Sequence, residues 1–316
     1  MSELRFQPFL NEWVIVATHR QERTFFPPDD YCPLCPTKNK NFPTEIPFDN
    51  YEIAVFENKF PSLHTPPEEP VVEGSDFLPV APSEGVCEVI CYTSDHNKTM
   101  ADLPENHIKK IVYVWRDRYE ELMSRPEVKY VYIFENKGKE IGVTLSHPHG
   151  QIYAYPFVPF KIQSRLKNEE NYFMENKRKL AKEWINYEIK EDRRIIWKGE
   201  YWVAVVPFFA RYPFEIQILP NSFSENILFL NKNELHELAT AIKIITVKLD
   251  KIFGFSMPYI MSMYQAEVPA TSFCLEFTPP YRTKDKLKFL AGSESGCGVF
   301  INDTLPEETA EILKTL

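Results

Sequence analysis

Residues 146–157 have the sequence SHPHGQIYAYPF, with one proline between two histidines. If this stretch forms a strand, residues two apart face the same side of the sheet. His147 and His149 then point into one region, and Gln151 lies on the same side. On residue type alone, such a pair is as typical of a shared metal edge or a hydrogen-bonded core pair as of a catalytic device.

The segments before this stretch predict strands and one long helix. Residues 103–123 carry apolar side chains at helical spacing, which predicts an amphipathic helix. The predicted strands are rich in β-branched and aromatic residues and are bounded by Pro, Asp, Asn or Gly; they are 12–18, 51–60, 85–93 and 129–136. The first half therefore has an α+β order.

The second half repeats this order. Strand-like segments at 200–209, 214–220 and 258–265 surround a strong helical pattern at 232–254. One offset of 127 residues relates the halves and pairs the following residues: His96 with Phe223, His147 with Cys274, and His149 with Glu276. We therefore expect a duplicated α+β module, with domains 1–160 and 161–316 and a solvated connecting helix within 161–194.

Composition and charge narrow the function. The chain has 316 residues, 36 basic and 45 acidic, with a formal charge of −9. This balance argues against nucleic acid as a partner. The amino terminus lacks the apolar run of a signal peptide, and no apolar stretch is long enough to span a membrane. We expect a cytoplasmic protein that binds small molecules, with its six cysteines present as thiols or metal ligands.

The CPLC motif places Cys32 and Cys35 two residues apart, a spacing at which both thiolates can reach one metal ion. No second cysteine pair of this kind completes a zinc ribbon. His96 and His147 are therefore the candidate partners in a closed structural site. The alternative is that both cysteines are free thiols on a turn.

The residues around the two histidines suit a phosphate. Gly138 and Gly142 lie in a loop whose backbone N–H groups, with the hydroxyls of Thr144 and Ser146, could cradle a phosphate. Gly150, directly after His149, permits close approach of the backbone.

The run His147-Pro148-His149-Gly150-Gln151 resembles the signature of the galactose-1-phosphate uridylyltransferase family, a nucleotidyl-transferring branch of the histidine-triad superfamily. Further segments resemble that family in the family's order: THRQER, CPLC, FENKFPSL, SDHNKT, FENKGKEIGVTLSHPHGQ, RYPFE and KFLAGSESGCGVFIND. The resemblance implies a duplicated histidine-triad-like module with two antiparallel sheets flanked by helices.

The resemblance also implies the chemistry. His149 would attack the α-phosphorus of UDP-glucose and hold the uridylyl group until galactose 1-phosphate takes it, in a ping-pong sequence. Gln151 would donate to the phosphate as an amide that cannot titrate. The family's zinc ligands correspond to Cys32, Cys35, His96 and His147, which implies one structural zinc ion per chain.

The family pattern assigns substrate contacts in both halves. The implied residues are Arg20, Arg23, Asn58, Lys59, Asn136, Gly142, Val143 and Thr144 for the nucleotide and its phosphates, and Lys288, Phe289, Ser293 and Glu294 for the hexose. The residue types alone fit ordinary surface charges at Arg20, Arg23 and Lys59 and a core position at Phe289. Glu294 lies among three glycines, which suits a contact with sugar hydroxyls. The family further implies a homodimer.

This sequence departs from the family at several positions. Cys274, Glu276 and Tyr264 stand where many relatives bind a second metal, so we expect that site to be absent or weak. Ser293 replaces a common tyrosine and Lys59 an aspartate. These changes leave open an ADP-sugar or dinucleoside polyphosphate phosphorylase that uses the same histidine. A zinc-stabilised binding protein without catalysis is a third interpretation, which the retained His149, Gly150 and Gln151 disfavour.

Overall fold

The computed structural model describes residues 1–22 and 31–316. The strands are β1 Ser2–Gln7, β2 Glu12–Ala17, β3 Ala54–Glu57, β4 Val80–Pro82, β5 Val86–Cys91, β6 Tyr130–Lys137, β7 His149–Tyr155, β8 Ile195–Lys198, β9 Trp202–Val205, β10 Ile216–Pro220, β11 Tyr259–Tyr264, β12 Cys274–Thr278, β13 Tyr281–Thr283 and β14 Lys286–Leu287. The α-helices are α1 Glu105–Met123, α2 Phe160–Asn176, α3 Leu180–Glu191, α4 Lys232–Phe253, α5 Gly292–Cys297 and α6 Pro306–Thr315. Short 3-10 helices occupy Thr18–Glu22, Lys139–Ile141 and Ile227–Phe229.

One antiparallel sheet of nine strands runs through both halves, in the order β3-β5-β7-β6-β11-β12-β10-β9-β8. The halves meet where β6 pairs with β11, for example Phe134 opposite Ser262. The predicted α+β class is confirmed. The two predicted sheets are joined into this one continuous sheet. Pairing of their edge strands satisfies the backbone N–H and C=O groups that separate sheets would leave unpaired.

The two long helices occupy equivalent places in the two halves. α1 begins at residue 105 and α4 at residue 232, an offset of 127 residues. Both helices bury an apolar stripe in one large core cluster, and they pack against each other. Asn231 and Glu234 form a reciprocal capping box that fixes the start of α4.

The segment predicted as one solvated connecting helix is two helices packed on the opposite face of the sheet. α2 ends at Asn176, and the left-handed φ of 57° at the next residue, Lys177, stops the helix. Ile162, Ala181 and Ile185 are buried and join a second core cluster with sheet residues. The prediction of a solvated linker was wrong because these apolar residues form a stripe that the charged residues between them obscure. The domain boundary near 160 stays a prediction.

The strand that carries the second histidine begins later than expected. β7 starts at His149, so His147 precedes the strand. His147 is buried, whereas His149 is half-buried at the edge of a cleft. Along β7 the even-numbered residues Gly150, Ile152 and Ala154 are buried, and the odd-numbered ones are less so. His149 and Gln151 therefore share a face, as the alternation predicted. In the described part of the chain, no helix is long and apolar enough to cross a membrane.

Candidate active site and metal centre

Gly150 lets two buried groups approach the strand closely. A β-carbon at this position would lie 2.1 Å from the Tyr92 hydroxyl and 3.2 Å from the Phe134 carbonyl oxygen. Tyr92 follows β5, and Cys91 at the end of β5 pairs with His149. The absence of a side chain at Gly150 therefore allows the Tyr92 ring to pack directly beneath the backbone that carries His149.

A backbone hydrogen bond orients the ring of His149. Its Nδ1 lies 2.7 Å from the carbonyl oxygen of His147. Because a carbonyl oxygen only accepts, Nδ1 carries the proton and the lone pair resides on Nε2. This tautomer makes Nε2 the nucleophilic nitrogen.

Gln151, the next residue on that face, accepts a hydrogen bond from the Tyr153 hydroxyl at its Oε1, 3.4 Å away. This contact assigns the two ends of the amide and leaves Nε2 of Gln151 as a donor. The sequence-predicted pair therefore offers one unprotonated ring nitrogen and one amide donor on a single strand.

Two cysteines and two histidines converge beside this strand. The ligand atoms of Cys32, Cys35, His96 and His147 all lie within 4.8 Å of one another. The Cys35 sulfur is 3.4 Å from Nδ1 of His96 and 3.6 Å from Nδ1 of His147. Ligands of a tetrahedral zinc ion with ordinary bond lengths are about 3.5 Å apart. The cluster therefore fits a single metal ion, as the spacing of the motif predicted.

The second nitrogens of the two histidines also have partners. Nε2 of His147 donates to the Thr93 carbonyl oxygen at 2.8 Å and lies 2.7 Å from the Tyr51 hydroxyl. Nε2 of His96 hydrogen-bonds the Ser146 hydroxyl at 3.0 Å. Such contacts fix the ring orientation and leave Nδ1 of His147 unprotonated for a metal. Burial lowers the pKa of His147 to about 4, so its ring is neutral at physiological pH.

Burial also acts on the cysteine thiols of this cluster. Together with the neighbouring Cys35, it raises the pKa of Cys32 to about 12. A coordinated cation reverses such an effect because it deprotonates the thiol. Deprotonation of the two thiols is therefore favourable when a metal ion is bound in the cluster.

A cleft of about 840 Å³ lies in front of His149. Its walls include Asn136, Val143 and Thr144, three of the sequence-predicted phosphate contacts. Gly142 is adjacent, with a left-handed φ of 85°, and ends the short 3-10 helix that shapes this loop. The loop and His149 therefore line the same cleft.

Sequence reasoning missed several residues of this cleft. They are Lys98, Lys137, Lys139, Glu135 and Tyr281. Lys98 belongs to the SDHNKT segment and the next three to the FENKGKE segment, so attention to the charges within those motifs could have found them. Tyr281 comes from the second half of the chain, and its position depends on the pairing of β6 with β11.

Two further predicted nucleotide contacts lie in a second depression. Asn58 and Lys59 line a neighbouring cleft of about 620 Å³ with His19 and His64. Arg20 donates to the Phe60 carbonyl oxygen at 3.1 Å. Burial raises the pKa of Tyr153, and the nearby positive charge of Arg20 partly offsets this rise. Arg23 lies outside the described residues.

The predicted hexose contacts are not in the cleft of their own chain's His149. Lys288 and Glu294 are buried and paired at 3.0 Å, and the ammonium holds the pKa of Glu294 at about 2. Glu294 also accepts from the Ala291 backbone N–H, and this contact holds the loop in place.

The other two predicted hexose contacts differ in exposure and bonding. Ser293 donates to the Val299 carbonyl oxygen, whereas Phe289 is 71% exposed. The core position considered for Phe289 is therefore wrong.

The position of the family's second metal holds a hydrogen-bonded carboxylate. Glu276 is buried and accepts from Tyr264 at 2.9 Å, Gln217 at 2.9 Å and Arg211 at 3.2 Å. Cys274 contacts the same Gln217 side chain. Among the described residues, only the Cys32 cluster brings metal ligands together. The absence of a second metal ion stays a prediction.

Comparisons with known proteins agree with this geometry. Family models for the N-terminal and C-terminal domains of galactose-1-phosphate uridyl transferase match residues 1–159 and 165–316. The galactose-1-phosphate uridylyltransferase of Thermotoga maritima is 39% identical, over 99% of this chain and 98% of its own.

Solved structures show the same likeness. A structure described as a uridylyltransferase has a TM-score of 0.88 at 32% identity and covers 99% of this chain and 97% of its own. An ADP-glucose phosphorylase from Arabidopsis thaliana, with bound ADP-glucose, has a TM-score of 0.74 at 25% identity and covers 100% and 99%. Fold, site and relatives together define a nucleotidyltransferase. The chain belongs to the galactose-1-phosphate uridyl transferase family.

Proposed function

We propose that the protein transfers a uridylyl group from UDP-glucose to galactose 1-phosphate, yielding UDP-galactose and glucose 1-phosphate. The observation that carries this proposal is the orientation of His149, whose Nδ1 is held by the His147 carbonyl oxygen. A chain of this family with Nε2 of that histidine unprotonated at a cleft of about 840 Å³ has the nucleophile that such a transfer needs.

The reaction proceeds in two balanced steps. Nε2 of His149 bonds to the α-phosphorus of UDP-glucose while the bond from that phosphorus to the bridging oxygen breaks, and glucose 1-phosphate leaves with the electron pair. A phosphate oxygen of galactose 1-phosphate then attacks the same phosphorus and displaces His149. In the first step the His149 ring gains a positive charge, which balances the extra negative charge that leaves on glucose 1-phosphate, and the second step reverses this change. Nδ1 of His149 keeps its proton throughout, so no separate proton donor is required.

Gln151 and the 138–144 loop stabilise the transferred group. Phosphoryl-type transfers depend mainly on positioning and on charge stabilisation at the non-bridging oxygens. The Gln151 amide donates from the strand, and Asn136, Val143 and Thr144 face His149 from the cleft wall. Lys98 and Lys139, in the same wall, add positive charge near the phosphates.

The metal bound by Cys32, Cys35, His96 and His147 is zinc, one ion per chain. The two thiolates and two imidazoles are the donor set of closed structural zinc sites. When bound, zinc cross-links the CPLC turn, the loop after β5 and the residue before Pro148 without taking part in the reaction. His149 remains outside this ligand set.

Assembly into a homodimer completes the hexose site. Phe289 lies away from the cleft of its own His149, in a segment that also exposes Leu290, Val299, Ile301 and Leu305. Exposed apolar residues at this density are typical of a protein–protein contact. A two-fold partner would present this segment to the other subunit's cleft.

A second candidate function is an ADP-sugar phosphorylase that uses the same His149. The likeness to the ADP-glucose phosphorylase structure supports it, as do Lys59 and Ser293, which differ from the family pattern. A single assay separates the two. We expect UDP-glucose with galactose 1-phosphate to release glucose 1-phosphate much faster than ADP-glucose with inorganic phosphate. The reverse preference would assign the phosphorylase function instead.

A further inference from the structure

A further cavity lies in the C-terminal half of the chain, on the same face of the sheet as His149. Gln151 pairs across strands with Phe134, Phe134 with Ser262, and Ser262 with Glu276, so all four side chains lie on one face of the sheet. Glu276 forms part of the floor of a cavity of about 510 Å³. Small-molecule sites typically have volumes of about 300–1,000 Å³. The proposed transfer at His149 makes no use of this cavity.

One side of the cavity is apolar and contains aromatic rings. Leu180, Ala181 and Trp184 come from α3, and Leu219 from β10. Phe209 packs on Trp184 with ring centroids 5.0 Å apart. The Trp184 N–H is already used, because it donates to Glu188 at 3.0 Å. This wall therefore offers an apolar surface for a ring-sized body.

Three cations of the lining lie around Tyr264 and Glu276, and two of them are paired with carboxylates. Arg165 donates to Glu169 at 3.2 Å, and Arg211 donates to Glu276 at 3.2 Å. A further carboxylate, Glu215, accepts from the Arg211 backbone N–H at 2.7 Å and lies 3.9 Å from Nε of Arg211, but it does not line the cavity.

Lys161 differs from the two arginines. Its Nζ donates to the Tyr264 hydroxyl at 2.6 Å, and Tyr264 donates in turn to Glu276. Among the described residues, no carboxylate lies within 4.0 Å of the Lys161 ammonium. An ammonium has three N–H donors, and this contact uses one of them. Lys161 is exposed to solvent overall, and desolvation of its ammonium by the surrounding protein lowers the pKa of this group.

We propose that this cavity binds a small organic acid with one negative charge and an apolar, ring-sized body. Its carboxylate pairs with Lys161, and its body packs on Trp184 and Leu180. The lining balances two of its three cations internally, so it favours one added negative charge over two. Neither a neutral nor a cationic ligand neutralises Lys161.

Calorimetric titration with 3-phenylpropanoate tests this proposal, with 3-phenylpropan-1-ol and 3-phenylpropylamine as uncharged and cationic analogues. We expect saturable binding of the acid and at least about tenfold weaker binding of both analogues, since a charge-assisted contact is lost. Equal affinity for the alcohol, or no saturable binding of the acid at millimolar concentration, would overturn the proposal. Tighter binding of uridine 5′-monophosphate in this cavity would overturn the preference for one charge.

Three variants locate the binding. Lys161→Met should weaken it about tenfold, and Lys161→Arg should restore most of it. Lys182→Met is the matched control, because Lys182 is an exposed lysine of α3 that does not line this cavity. His149→Ala should bind the acid as the wild type does. Unchanged affinity in Lys161→Met, or loss of binding in His149→Ala, contradicts the assignment. Ala181→Leu, which narrows the cavity, should also weaken binding if Lys161→Met proves unstable.

Discussion

Nδ1 of His149 donates a 2.7 Å hydrogen bond to the backbone carbonyl of His147, whose own Nδ1 belongs to the Cys2His2 cluster. Only Pro148 separates the two residues, and its ring fixes one backbone dihedral of the link. The metal cluster and the nucleophile are therefore joined through a short, stiff connection. A disturbance of the cluster should reach His149 directly.

Removal of one metal ligand should reduce both metal binding and the reaction at His149. Cys35→Ser is expected to bind less zinc, melt at a lower temperature and form the nucleotide adduct more slowly, because a hydroxyl is a poor substitute for a thiolate. Elemental analysis and thermal melting measure the first two effects. Cys297→Ser is the matched control, since Cys297 is exposed and lies outside the cluster. Full zinc content in Cys35→Ser would rule out the proposed site, and more than one metal ion per wild-type chain would show a second one.

Gly150→Ala should damage the site by overpacking. The new methyl group would lie 2.1 Å from the Tyr92 hydroxyl oxygen, and overpacked cores lose about 1–3 kcal/mol. The Tyr92 hydroxyl is buried and has no hydrogen-bond partner among the described residues, so Tyr92→Phe alone should cost little. The double variant should recover part of the lost stability in urea denaturation. Gly292→Ala, where no atom lies within 4 Å of the added carbon, serves as the control. Additive losses in the double variant would show that the Tyr92 hydroxyl is not the obstacle.

Glu135 should make stability depend on pH. Its side chain is buried, and burial raises its pKa from 4.5 to about 7. The folded state then binds the proton more tightly than the unfolded state, so this stabilisation is complete below pH 4.5 and is lost as the pH rises through about 7. Relative to the wild type, Glu135→Gln should gain up to about 3 kcal/mol between pH 5 and pH 8. Urea denaturation at both pH values measures this gain. The same pH dependence in both proteins would assign it to other groups.

A mixing experiment tests the proposed dimer. His149→Ala lacks the nucleophile, and Phe289→Asp lacks a proposed hexose contact, so each homodimer should be inactive or nearly so. If Phe289 serves the partner's cleft, a mixed dimer has one complete site. Random reassociation of the two variants should then restore about a quarter of wild-type transferase activity. If Phe289 instead serves its own chain, mixing restores nothing.

Local patterns were sufficient for much of the fold and the site. The 127-residue offset anticipated the matching helices α1 and α4, and the CPLC spacing anticipated the four-residue cluster. Alternation placed His149 and Gln151 on one face. The helices and the alternation depend on residues close in sequence. The cluster could be predicted because cysteine and histidine side chains together are typical metal ligands.

Long-range packing set the rest. The fusion of two sheets at β6 and β11 depends on edge pairing, which no local pattern records. The family pattern assigns Lys288 and Glu294 to the sugar, which stays a prediction, and the sequence did not indicate that the two side chains also pair with each other. The cavity beside Lys161 exists only because α2 and α3 fold back onto the sheet, and the charged surface pattern of residues 161–194 concealed this.

In the proposed reaction, His149 carries the uridylyl group. Mass spectrometry of the intact protein after exposure to UDP-glucose, without a sugar phosphate acceptor, detects this intermediate. We expect a mass increase of one uridylyl group on the wild-type chain, its loss on addition of galactose 1-phosphate, and no increase in a folded, zinc-containing His149→Ala variant. An adduct of the same mass on His149→Ala, or no adduct on the wild type, would contradict it.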